Sequence, residues 1–339
     1  MRKGHLENRR EFLTGCLAGA AARACGDGLL QAEAMLPQPR EAKSKVVLAH
    51  DALLRRSGAG VDPARALALL DRAMQTLCAE SEPAGCWRKI VRPGQRVAIK
   101  VNTLGGRGLS TNVQLVDALC ERLQSAGVRA QDIVIFDRGT AEMEHTGFRI
   151  RTGGNQVQCF GTDRVGYEDS LSRFGSVGSR VSKILTRQCD VLINVPVLKD
   201  HDGAGITAAL KNMYGVIHNP NKCHPNGCNP YAADVNMLAE IRSRARLHIC
   251  DVTTACYEGG PGFKPQFAWH ENALLIAEDP VALDHTAWQI IERKRAEKGL
   301  STLEADGRPP RYIATAADAA HRLGTNDPRR IVLSEVRVA

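Results

Sequence analysis

Short apolar runs alternate along this chain with longer segments whose apolar positions recur every three or four residues. Residues 46–49, 96–101, 133–136, 191–195, 247–250 and 273–277 are of the first kind and predict buried strands. Residues 330–338 predict a terminal strand. Residues 62–79, 112–126 and 280–295 are of the second kind and predict helices. Pro63 and Pro280 stand in the first turn of two of them, where a missing N–H costs nothing. Val113, Val116, Leu119, Cys120 and Leu123 fall on one face of the third. Strands alternating with helices predict an α/β fold, a mostly parallel sheet with helices on both faces in a single large domain. Ligands of such sheets sit beyond the strand carboxyl ends. Asn102, Asp137, Lys199-Asp200-His201 and Asp251 each follow a predicted strand, so polar groups should converge there.

Composition narrows the picture. The 339 residues are 43% hydrophobic and 24% charged, which describes a globular protein, and no apolar run is long enough to form a stable membrane span. Aromatic content of 4% argues against a base-stacking surface. The net charge of +8 is dispersed, and its densest run, residues 242–246, has no interleaved aromatics, so nucleic acid is not an expected partner. Anionic small molecules remain.

Near the start, Asn8-Arg9-Arg10-Glu11-Phe12-Leu13 precedes a weakly apolar Gly/Ala stretch and looks like a twin-arginine export signal. An ordinary basic helix is the plainer alternative. The expected organisation is a signal over 1–34, a linker over 35–44 and the α/β domain over 45–339. Its partners would be the twin-arginine translocation machinery and a small-molecule ligand, and its location the periplasm. None of the eleven cysteines forms a CxxC pair, so no iron–sulfur cluster of the ferredoxin type is expected.

The chemistry concentrates between residues 190 and 234. His201, His218 and His224 fall here, three of the chain's ten histidines. With Asp251 they offer the ligand types of a transition metal, although no HExxH occurs. His201 and His224 are the leading metal ligands. Lys199 and Lys211 could bind an anion or, if desolvated, act as base or nucleophile. Asn102, Asp137 and Asn212 are candidates for holding a ligand. Cys223 and Cys228 bracket His-Pro-Asn-Gly and suit a disulfide or structural thiols better than a nucleophile. The glycine-rich stretches 105–108 and 259–262 match neither a dinucleotide fingerprint nor a P-loop, and no GxSxG elbow occurs.

VPVLKDH, GITAALKNMYGVIH, NPNKCHPNGC, Gly259-Gly260-Pro261-Gly262 and DPVALD, in that order, resemble the domain-of-unknown-function 362 family, closest to its exported members. The resemblance implies an α/β domain with a shared polar site comprising Lys199, His201, Lys211, Asn212, Gly215, His224, Asp251 and Asp284. Some members carry a ferredoxin-like module that this chain lacks, and the resemblance implies no reaction. The leading expectation is an exported, metal-assisted enzyme acting on an anionic small molecule. His201, His224 and His218 would serve the metal, with Lys199, Lys211 and Asp251 catalytic. The alternatives are a non-catalytic periplasmic binding protein and a thiol-based redox or scaffold partner.

Overall fold

The computed structural model describes residues 43–55 and 60–338. The predicted export signal and all but the last two residues of the predicted linker lie outside them. The strands are β1 (Ser44–His50), β2 (Val97–Lys100), β3 (Ile133–Phe136), β4 (Gln158–Cys159), β5 (Ser172–Phe174), β6 (Val177–Ser179) and β7 (Val191–Asn194). They continue with β8 (Val197–His201), β9 (Gly205–Thr207), β10 (Ala245–Cys256), β11 (Ala268–Trp269), β12 (Ala273–Ala277) and β13 (Ile331–Arg337). One sheet runs β13-β1-β12-β10-β7-β2-β3-β4, with β8, β9 and β11 joined beside β10. The β5–β6 hairpin stands apart from it.

The centre of the sheet is parallel, β2 pairing with β3 and β7, and β7 with β10. The predicted architecture therefore holds, with one inversion. β12 is antiparallel to both β1 and β10, because no crossover helix separates β10 from β12. Alternation along each strand divides the core in two. Val47, Ala49, Val97, Ile99, Val191 and Ile193 pack with helices Pro63–Cys78, Pro83–Ile90 and Val113–Ser125 on one face. Val46, Leu48, Ala98 and Leu192 pack with helix Pro280–Glu297 and the shorter helices on the other.

Two helix starts were legible from Pro63 and Pro280 in their first turns. The caps are Asp62, Asn112 and Asp279, whose side chains accept from two, one and two amides of the helix that follows. Two strand boundaries differ from expectation. Lys199-Asp200-His201 does not follow a strand but forms the second half of β8, which pairs with β9 and β10. Asp251 does not end its strand either, since β10 continues to Cys256. Its carboxylate accepts the amides of Asn112 (2.7 Å) and Thr253 (2.8 Å), so a buried acid is tolerated inside the sheet.

Chain order places the site. From β2 the chain moves outward to β3 and β4, then returns to the opposite side of β2 as β7. The carboxyl ends of β2 and β7 thus flank the topological switch point, where open α/β sheets leave a crevice. The short helix Ala209–Asn212 lies at this crevice, and it is fixed from behind by the fully buried Asp284. Asp284 accepts the amides of Ala209 (2.6 Å) and Leu210 (3.1 Å). Burial pushes its pKa up to about 8, against the pull of those two amides. Asp284→Asn would turn an NH2 towards one donor, and should lower unfolding free energy in urea by about 1–3 kcal/mol.

Candidate functional site

A cavity of about 390 Å³ opens at the switch point. Each of its chemical groups is positioned by a different element. Lys100 is the last residue of β2, Asn102 lies just beyond it, and Asp137 follows β3. Period-two alternation in β8 turns Lys199 and His201 into the cavity, while Asp200 points away to Arg308 and the Gly260 amide. Helix Ala209–Asn212 contributes Lys211 and Asn212, and His224 comes from the turn after Pro220–Cys223.

The charge balance of this cavity is unusual. Lys100, Lys199 and Lys211 are 1%, 0% and 6% exposed. Of the three, only Lys100 has a carboxylate partner among the described residues, Asp137 Oδ1 at 2.7 Å. Burial alone would raise the Asp137 pKa, but the Lys100 ammonium and the Thr103 amide and hydroxyl (2.8 and 2.9 Å) outweigh it and hold the carboxyl below its usual range. Gly215 is required here by close approach. A Cβ on it would come within 2.5 Å of Lys100 Cε and 2.9 Å of Asp137 Oδ1.

Lys199 has an amide for a partner instead. Its Nζ donates to Asn102 Oδ1 at 3.0 Å. An ammonium or amine hydrogen fixes that oxygen as acceptor, and this sets the sense of a whole relay. Asn102 Nδ2 donates to Asn212 Oδ1 (2.9 Å), Asn212 Nδ2 to Asn194 Oδ1 (2.7 Å), and Asn194 Nδ2 to the Ala209 carbonyl (2.9 Å). Burial lowers the Lys199 pKa to about 7; Asp137 opposes the shift and Lys211 adds to it. This side chain is therefore both proton donor and acceptor near neutrality.

Lys211 Nζ lies 3.2 Å from His224 Nε2 and 4.3 Å from the centroid of the Tyr214 ring. Burial lowers its pKa too. His224 Nδ1 faces the carbonyls of Pro220 (3.2 Å) and Asn221 (3.3 Å), which assigns the proton to Nδ1 and leaves Nε2 to accept from Lys211. The His224 ring stacks on His201 with centroids 5.7 Å apart. His201 Nδ1 sits 3.2 Å from the Gly203 amide and 3.0 Å from the exposed Asp202 carboxylate. Burial, with the Lys211 charge second, pushes the His201 pKa down to about 2, so the ring is neutral in ordinary buffers.

The structure thus brings Lys199, His201, Lys211, Asn212, His224, Asn102 and Asp137 together. It does not bring two other predicted residues. His218 packs edge-on against Tyr167 (centroids 5.2 Å) and lines a separate pocket of about 400 Å³, and Asp251 does not line the cavity. Among the described residues no three His, Cys, Asp or Glu groups are arranged to hold a metal ion. Cys223 and Cys228 are buried free thiols. Lys100 was missed by sequence reasoning, although a lysine closing the apolar run Val97-Ala98-Ile99 was a visible signal. Asp137→Asn should lower stability by about 3 kcal/mol or more in urea unfolding, because it strands the buried Lys100 ammonium. Lys100→Met combined with it should recover much of that loss.

A thylakoid-associated protein of Synechocystis sp. is 28% identical over 142 residues, which are 40% of this chain and 43% of that protein. The chain thus spans less than half the length of that curated relative. Among solved structures, the lactate racemase apoprotein of Thermoanaerobacterium thermosaccharolyticum aligns with 14% identity and a TM-score of 0.39, over 70% of this chain and 55% of that one. A Thermotoga maritima protein aligns with 9% identity and a TM-score of 0.42, over 64% and 57%. Scores this low support no conclusion about chemistry. The family model described as Domain of unknown function (DUF362) matches residues 97–289, a span holding every residue that lines the cavity. The chain belongs to that family.

Proposed function

We propose that this protein is an acid–base enzyme that binds a small organic anion in the Lys/His cavity and moves a proton on it. The observation that carries this reading is the excess of buried positive charge. Lys199 is enclosed beside an amide oxygen and Lys211 beside an imidazole nitrogen and the Cys228 thiol, and among the described residues neither has a carboxylate in contact. Uncompensated charges of this kind cost several kcal/mol each, and an anionic ligand offsets that cost on binding. A cavity of about 390 Å³ suits a ligand of modest size.

The roles divide by protonation state. Lys211, fixed by Tyr214 and His224, holds the anionic group. Lys199 takes or returns the proton, because desolvation sets it near neutrality. His201, two residues along the same strand, is a neutral ring and serves as hydrogen-bond partner to the substrate. Two imidazoles with no third protein ligand among the described residues give no metal a role in these steps.

Calorimetric titration with acetate, pyruvate, malonate and inorganic phosphate tests the binding. At least one should bind saturably, and Lys199→Met or Lys211→Met should weaken it by about tenfold or more. The Lys199 ammonium is present below its pKa and lost above it, so affinity should fall as pH rises through about 7. Binding that is indifferent to both substitutions and to pH would sink the reading. Solvent deuterium appearing in the bound acid by mass spectrometry assigns catalysis, whereas binding without exchange assigns capture.

The twin-arginine-like segment supports export to the periplasm as part of the same proposal. Cell fractionation should find the protein outside the cytoplasm, and Arg9→Lys with Arg10→Lys should retain it inside.

A further inference from the structure

A second cavity, about 540 Å³, shares no lining residue with the first. The loop after β2 serves both, giving Leu104 to the Lys/His cavity and Arg107 and Gly108 to the other. The lining of this second cavity includes Arg55, Arg107 and His270 and no carboxylate. Arg55 Nη2 donates to Thr254 Oγ1 at 2.7 Å, and the same hydroxyl lies 3.1 Å from His270 Nδ1, so Thr254 ties the two basic side chains together. Arg55 Nε is enclosed and has no hydrogen-bond partner among the described residues. Arg107 anchors its Nε on the His145 carbonyl at 2.7 Å, and its terminal nitrogens have no partner among the described residues.

Asp251 is bonded to this cavity's lining without being part of it. Its oxygens accept from Asn112 and Thr253, two residues of the lining, and its charge acts on Arg55 without occupying the Arg55 donors. The first residues of the 13-residue helix Val113–Ser125 also line the space, adding the positive end of a helix dipole. Phe263 and Trp269 supply flat apolar wall. Phe263 is fixed to the glycine-rich loop, its amide donating to the Gly105 carbonyl at 3.1 Å. Gly108, at φ +99°, lies so close that a Cβ would stand 2.8 Å from the ring.

We infer that this cavity is a second ligand site, taking a small anion that carries an aromatic group. The anion meets Arg55 and Arg107, and the ring meets Phe263 and Trp269. The site depends on none of the lysines of the first cavity, so its failure and that of the proposed reaction are separable.

Phenyl phosphate is the probe, read by quenching of tryptophan fluorescence in the full chain. Quenching should saturate, and it should disappear in Trp269→Phe. Inorganic phosphate and phenol, each half of the probe, should bind at least about fivefold more weakly. Arg55→Gln should weaken phenyl phosphate by about tenfold or more, with Arg55→Lys recovering part of the loss. Arg107→Gln should also weaken it, and Lys199→Met should leave it unchanged. The inference is overturned if quenching does not saturate, survives Trp269→Phe, or is indifferent to both arginine substitutions. A Lys199→Met protein that no longer binds the probe would overturn it as well.

Discussion

Everything at the switch point depends on one buried contact, the Lys100 ammonium against the Asp137 carboxylate at 2.7 Å. The pair joins the ends of two adjacent parallel strands, β2 and β3, at their carboxyl edge. Thr103 holds the acid from one side, and the backbone at Gly215 closes over it from the other. This pairs one of the three buried lysines and leaves Lys199 and Lys211 without a carboxylate partner among the described residues, beside a pair that is itself neutral overall.

The asparagine relay has a direction. Lys199 donates to Asn102 Oδ1 at one end and the Ala209 carbonyl accepts from Asn194 at the other, so both ends agree on the orientation of every amide between them. Asn194 closes β7 and Asn212 closes the short helix, which couples the lysine to both elements. The result is a chain of amides satisfied by the scaffold, with the Lys199 nitrogen at its cavity end.

Much of this was legible beforehand, for stateable reasons. Apolar strands and amphipathic helices announced themselves through period and first-turn prolines, so β1, β3, β12 and the helices beginning at Pro63, Val113 and Pro280 match the sequence reading within a few residues. The strand β8 was not legible, because a buried lysine and histidine spaced two apart look like a polar strand end in one dimension. Their side chains alternate with Asp200, and only pairing with β9 and β10 shows that the alternation is a strand. Asp251 misled in the same way: an acid after an apolar run marks a strand end unless backbone amides elsewhere absorb it. Lys100 was hidden by the opposite prejudice, being read as the edge of an apolar run rather than as its chemistry.

Asp200, on the back of β8, extends the picture beyond the cavity. It is wholly buried and faces Arg308, which also meets Glu258 at 2.7 Å, while Arg295 bridges Glu258 and Asp306. Burial raises the Asp200 pKa to about 6 even with Arg308 opposing. Arg295, Asp306 and Arg308 all lie past residue 289, where the family segment ends, and β1 and β13, which complete the sheet, lie outside it as well. The family segment and the complete sheet are thus different stretches of chain. A fragment cut to the former would carry every lining residue of the Lys/His cavity and lose the cation that meets Asp200 on the reverse side of β8.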